Sequence, residues 1–292
     1  MTISSRPSLI SPTTSSLPRL ASISVAGTSF AGISSTYALA SRFPSHGRIS
    51  RRHYSGGLDP TGGYLTAMNA YWILLGLNTI PFGLFLYAQY THNRRLEINL
   101  LQNTLVSVSS VDSGRWWTVL TSAFSHQHLA HFAFNMFTMN AMCSVLSRVP
   151  GVHGGHILGV ALGAAIAGSG SYVLQQQARI SASKNPLERS QAYNSAALGA
   201  SGAVMGLSAL ATCFLPTVPM NLMFIPIPIP LWIITAGYFA VDAYQLDSKK
   251  TRVAHAGHLG GAAFGLASYF LLLKGLAPFG IWFTVARFFG RR

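Results

Sequence analysis

The chain has 292 residues, half of them apolar and only 9% charged, with a net charge of +14. A water-soluble enzyme of this length carries about a quarter charged residues, so the composition argues against a soluble globule and points to lipid. The 20 basic residues are scattered over an N-terminal arm, loops and a C-terminal tail, which argues against a focused nucleic-acid-binding face.

Residues 1–54 contain Arg6, Arg19, Arg42, Arg48, Arg51 and Arg52, many Ser and Thr, and no acidic residue before Asp59. That is the composition of a mitochondrial presequence, with a basic lipid-binding arm as the competing reading. Arg52-His53-Tyr54-Ser55 reads as a processing site cleaved after Tyr54. The uncharged stretch Leu20–Ser41 is long enough to span a membrane, but Ser and Thr dilute it and it is not counted as a helix. Residues 55–68 form a short segment leading into the core.

Six apolar spans are expected at about 69–90, 127–147, 154–176, 195–215, 227–244 and 254–274, each near the roughly 20 residues that a bilayer requires. The fold class is therefore all-α, a polytopic six-helix bundle over 69–274, with a basic tail at 275–292. Between the first two spans, Leu96, Ile98, Leu100, Leu101 and Leu105 alternate with polar residues before Arg115-Trp116-Trp117, the pattern of an interfacial helix with an aromatic anchor. Alternating Pro226, Pro228 and Pro230 favour extended backbone, so the fifth helix is expected to begin near Leu231 and to be short. Cys143 and Cys213 lie in apolar segments without paired spacing and read as buried thiols.

Ionisable groups within apolar spans are costly and mark function, and here they cluster. The second span opens with His126, His128, His131 and Asn135; the fourth carries Ser201 in Gly199-Ala200-Ser201-Gly202; the sixth carries His255 and His258. Even-numbered spans enter from the same side, and a rise of 1.5 Å per residue puts Ser201 about 9 Å and His258 about 6 Å below their span starts. A serine needs a neighbouring base to become nucleophilic, and histidine suits that task. No acid lies near His258 in its own span, so a Ser201–His258 dyad is preferred to a triad, with His131, Asn135 and the Ser201 N–H as oxyanion donors. Gly199, Gly202 and Gly206 form one small-residue stripe and His258, Gly261 and Gly265 another, so the two helices can pack backbone to backbone. His128 reads as interfacial.

These motifs, from Arg115 to Leu273, resemble the rhomboid intramembrane serine proteases, whose pattern is matched by His126, His131, Asn135, the GxSG run 199–202, and His258 followed by Gly261 and Gly265. The resemblance implies Ser201 as nucleophile, His258 rather than His255 as general base and acid, and His131 with Asn135 as oxyanion donors. Trp117-Thr118 departs from the Trp-Arg pair common in the family's first loop, so anchoring of that loop is expected to differ. The basic arm and RWWTVLTSAFSH resemble the mitochondrial branch, which implies the inner membrane, an active site facing the intermembrane space, and substrates that are single-span proteins such as a dynamin-like GTPase. Substrate entry past the fifth helix would make Trp232 and Phe239 gate residues.

Neither metal nor cofactor is expected: HExxH is absent and the histidine clusters lack nearby carboxylates in sequence. An aspartyl mechanism would need two aspartates on facing helices, whereas Asp242 and Asp247 sit together near one helix end. The readings that compete with proteolysis are a silent membrane-binding or quality-control protein on the same scaffold and a transporter with a histidine relay.

Overall fold

The computed structural model describes residues 65–222, 225–248, 253–276, 280 and 281. The expected presequence, its expected processing site, the Leu20–Ser41 stretch and most of the C-terminal tail lie outside the described residues. The chain is an all-α polytopic membrane bundle, as the apolar segments predict.

Helix α1 (Ala67–Tyr90) starts where the Thr66 hydroxyl accepts a hydrogen bond from the Asn69 N–H. It buries Ala67, Ala70, Tyr71, Leu74, Phe82 and Phe85 at helical spacing and leaves Trp72, Ile73, Leu77 and Ile80 exposed. Apolar residues on both faces are what a helix between protein and lipid requires. The segment expected at the interface forms α2 (Arg94–Thr104), followed by α3 (Val108–Asp112) and α4 (Thr118–Thr121), which runs into a 3₁₀ turn over Ser122–Phe124. The Trp117 indole donates to Asn103 on α2, and the buried Thr118 hydroxyl donates to the Arg115 carbonyl and meets the Ser110 hydroxyl on α3. Short polar contacts thus anchor the first loop at the position where the family pattern places arginine.

The remaining helices are α5 (Leu129–Leu146), α6 (Gly154–Ala182), α7 (Pro186–Asn194), α8 (Ser201–Phe214), α9 (Leu231–Tyr244) and α10 (His255–Ser268), the last continuing as a π-helical turn to Leu273. Among the described residues, four helices, namely α1, α5, α6 and α10 with its continuation, are long and apolar enough to cross a membrane. The other two expected spans, α8 and α9, are apolar but have only 14 residues each, about 21 Å of helix against a hydrocarbon core of about 30 Å.

Each short helix has a local cause. Residues ahead of α8 are held extended, with Val106 and Ala197 exchanging backbone hydrogen bonds and the Gly199 N–H donating to the Ser122 carbonyl. Helix α8 therefore begins at Ser201 rather than near 195, which corrects the expected depth of that serine: it opens its helix. Ahead of α9, Pro219–Leu222 (β1) and Ile225–Pro230 (β2) pair as an antiparallel hairpin. The alternating prolines suit a two-stranded ribbon because each strand needs donors on one edge only.

Glycines set the central packing of α6, α8 and α10. A Cβ on Gly261 would overlap the Gly202 carbonyl, one on Gly265 would overlap the Gly206 carbonyl, and one on Gly168 would lie 2.7 Å from the Gly257 carbonyl. Backbones this close belong to the small-residue mode of membrane helix association. Cys143 and Cys213 are buried and unpaired within the apolar core.

Candidate active site

The N-terminal ends of α5, α8 and α10 converge, and Gly199 shows how. Its φ of +120° is a conformation that L side chains rarely adopt, and a Cβ there would lie 2.5 Å from the His131 ring. Glycine is needed on both counts, for the turn into α8 and for the passage of the chain over the imidazole. Ser201 follows as the first residue of α8, half-buried. It lines a cavity of about 30 Å³ together with Gly199, Ser122, Ser169, Tyr172 and Gly257. That volume holds one or two waters, and three neighbouring hydroxyls could bind them.

His126 is fully buried and receives two N–H groups at Nε2, from the Asn135 amide at 3.1 Å and from the Ala200 backbone at 3.4 Å. Because both partners are donors, Nε2 carries no proton, and the ring ties α5 to the turn before Ser201. Its Nδ1 is buried without a hydrogen-bond partner among the described residues. The Asn135 amide also donates to the His131 carbonyl at 3.0 Å, so both of its hydrogens are engaged. Asn135 thus contacts His126 and the α5 backbone, and reaching an oxyanion would require it to exchange one of these bonds. His131 is half-buried, its ring edge-on to His126 at 4.9 Å between centroids. His128 is exposed at the N-cap of α5, outside this group.

On α10, His258 lies one turn into the helix, with Gly257 before it lining the Ser201 cavity. No hydrogen bond joins the Ser201 hydroxyl to His258 among the described residues. The hydrogen bonds of His258 are instead at Nδ1, to the two carboxylate oxygens of Asp242 at 3.0 and 3.1 Å. The same carboxylate accepts from His255 Nδ1 at 2.6 Å. Both Asp242 and His255 are buried.

Asp242 is the residue that sequence reasoning missed, and the expectation that the histidines lack a carboxylate is overturned. The acid comes from the last turn of α9, 13 positions before His255 and 16 before His258, so spacing along one helix could not reveal it. The available signal was a lone acid at the end of an apolar span, which needs a partner. The donor atoms of Asp242, His255 and His258 lie within 4.8 Å of one another, close enough to accept a small divalent cation.

Of the suggested gate residues, Trp232 is half exposed on α9, whereas Phe239 packs against Met205, Ala209 and Ala262 at the seam of α8 and α10.

The Rhomboid domain profile matches residues 113–275, more than half of the sequence. The chain belongs to the rhomboid family. It is 27% identical over 205 residues to RHOMBOID-like protein 12, mitochondrial, of Arabidopsis thaliana, covering 70% of this chain and 59% of that protein. An uncharacterized mitochondrial rhomboid protein of Schizosaccharomyces pombe is 26% identical over 226 residues, covering 61% of this chain and 55% of the relative. Rhomboid protein 1, mitochondrial, of Saccharomyces cerevisiae is 26% identical over 199 residues, covering 68% and 51%. The aligned part thus spans between half and three fifths of each of these curated rhomboids.

Proposed function

We infer that this rhomboid-family chain is an intramembrane serine endopeptidase in which Ser201 attacks the scissile carbonyl and His258 serves as general base. The observation that carries this reading is the placement of Ser201 at the start of α8, on a small hydroxyl-lined cavity shared with the first turn of α10, which bears His258.

The Ser201 Oγ forms a bond to the carbonyl carbon as His258 takes its proton at Nε2, the ring nitrogen left available by the contacts at Nδ1. Active-site hydrogen bonds of this kind commonly tighten only once substrate is bound. The oxyanion would sit near the Ser201 N–H, at a helix N-terminus whose first N–H groups lack intrahelical partners, with His131 on the other side of Gly199. Asn135 would join this set by rotating away from His126. His258 then passes its proton to the leaving amine, the C–N bond breaks, and a water from the cavity hydrolyses the acyl-enzyme. Access through the membrane past α9, with Trp232 as the exposed gate residue, suits single-span substrates that can unwind locally.

Relatives named as mitochondrial proteins and the basic, acid-free arm support a mitochondrial membrane location. The inner membrane, with the catalytic ends facing the intermembrane space, is the arrangement proposed. The test is cleavage of a single-span reporter by detergent-purified protein. Wild type is expected to cut it and His258→Ala to lose at least about a hundredfold in rate; an unchanged rate in His258→Ala would contradict the assignment of the base.

A further inference from the structure

We propose that Asp242 is a positioning residue for His258, so that the site works as a Ser201–His258–Asp242 relay rather than as an isolated pair. This inference rests on the serine-protease reading of the site and deepens it.

A carboxylate is only an acceptor, so each imidazole that bonds it must present a protonated nitrogen. Asp242 touches His258 at Nδ1 through both oxygens, at 3.0 and 3.1 Å. The proton of neutral His258 is therefore held at Nδ1, and Nε2 is left as the acceptor that Ser201 requires. A ring with the opposite tautomer could not take the serine proton. When His258 does take it, the carboxylate faces the new positive charge. Asp242 keeps its own charge throughout, and the proton moves only between Ser201 Oγ, His258 Nε2 and the leaving amine.

The surroundings hold Asp242 firmly. Its side chain is 6% exposed, and a second donor, His255 Nδ1 at 2.6 Å, fixes the carboxylate from the adjacent turn of α10. Just beyond α9, the Leu246 carbonyl accepts from Gln175 and Arg179 of α6. The end of α9 is thereby pinned to the neighbouring helix, and the carboxylate with it. A buried charge with two good donors is tolerable where an unpaired one is not. The competing account is that Asp242 only staples α9 to α10, and it makes a different prediction.

The experiment compares wild type, Asp242→Asn, Asp242→Glu, His255→Gln and Ser201→Ala, purified in detergent, by kcat, KM and thermal unfolding, with and without EDTA. Positioning predicts that Asp242→Asn stays folded, keeps KM within about threefold and loses a hundredfold or more in kcat, because its amide can donate to Nδ1 and favour the wrong tautomer. Asp242→Glu should recover part of kcat, and His255→Gln should lose far less than Asp242→Asn. A mere staple predicts parallel falls in stability for Asp242→Asn and His255→Gln with kcat of the folded protein retained, and that outcome overturns the proposal while leaving the protease reading intact. Activity abolished by EDTA and restored by zinc would also overturn it by assigning the cluster to a metal. Full activity of Ser201→Ala would instead overturn the underlying protease reading.

Discussion

At the residue scale, the site depends on a few positions where the backbone tolerates no substitute. Gly199 combines a left-handed φ with contact to the His131 ring. Gly199→Ala is expected to cost about 1–3 kcal/mol in strain and to shift the Ser201 turn away from His131. Proteolysis should fall at least tenfold, a loss that rate measurements on the folded fraction will register. His126 offers a second check. Replacing it with Ala leaves the Asn135 amide and the Ala200 N–H short of an acceptor in a buried setting, at about 1–3 kcal/mol for an unsatisfied group; thermal unfolding in detergent should show the loss, and a Gln at 126, which can still accept, should show less of it. The clustering of Ser201, His131, Asn135 and the two histidines of α10 was legible from residue type and position in alternate spans, whereas preferring His258 to His255 took the family resemblance. Asp242 was not, because its partners lie on another helix and only the tertiary crossing joins them.

At the element scale, close packing of α8 and α10 sets the relation between Ser201 and His258. Gly261 and Gly265 meet carbonyls of Gly202 and Gly206, so Gly261→Ala must push the helices apart. It is expected to destabilise the bundle by about 1–3 kcal/mol and to lower kcat, since Ser201 and His258 sit at the ends being separated. Gly237 on α9 provides the control: a Cβ there meets nothing within 4 Å, and Gly237→Ala should leave the rate unchanged and stability equal or slightly higher, by up to about 1 kcal/mol. The packing pairs Gly202/Gly206 and Gly261/Gly265 and the proline-delayed start of α9 were readable in the sequence, whereas Gly199, expected in the same helical stripe, lies in the turn before α8. The late start of α8 was not, because it depends on backbone bonds from Ala197 to Val106 and from Gly199 to Ser122, contacts between distant parts of the chain. Apolar composition alone extends that span back to 195.

At the scale of the whole molecule, exposed apolar side chains on α1, α5, α6 and the π-helical end of α10, including Trp72, Ile80, Leu129, Phe137, Leu174, Leu271 and Leu272, suit lipid around the bundle. The protein should therefore remain in the membrane fraction after alkaline extraction and leave it only with detergent. The short α8 opens at Ser201, which is half-buried on the small cavity beside the first turn of α10. The measurement that tests this account most directly is cleavage of a single-span substrate in reconstituted vesicles by wild type and by Ser201→Ala. The account predicts one defined cut with wild type and none above background with the variant, at equal folded protein. Equal cleavage by both would contradict it.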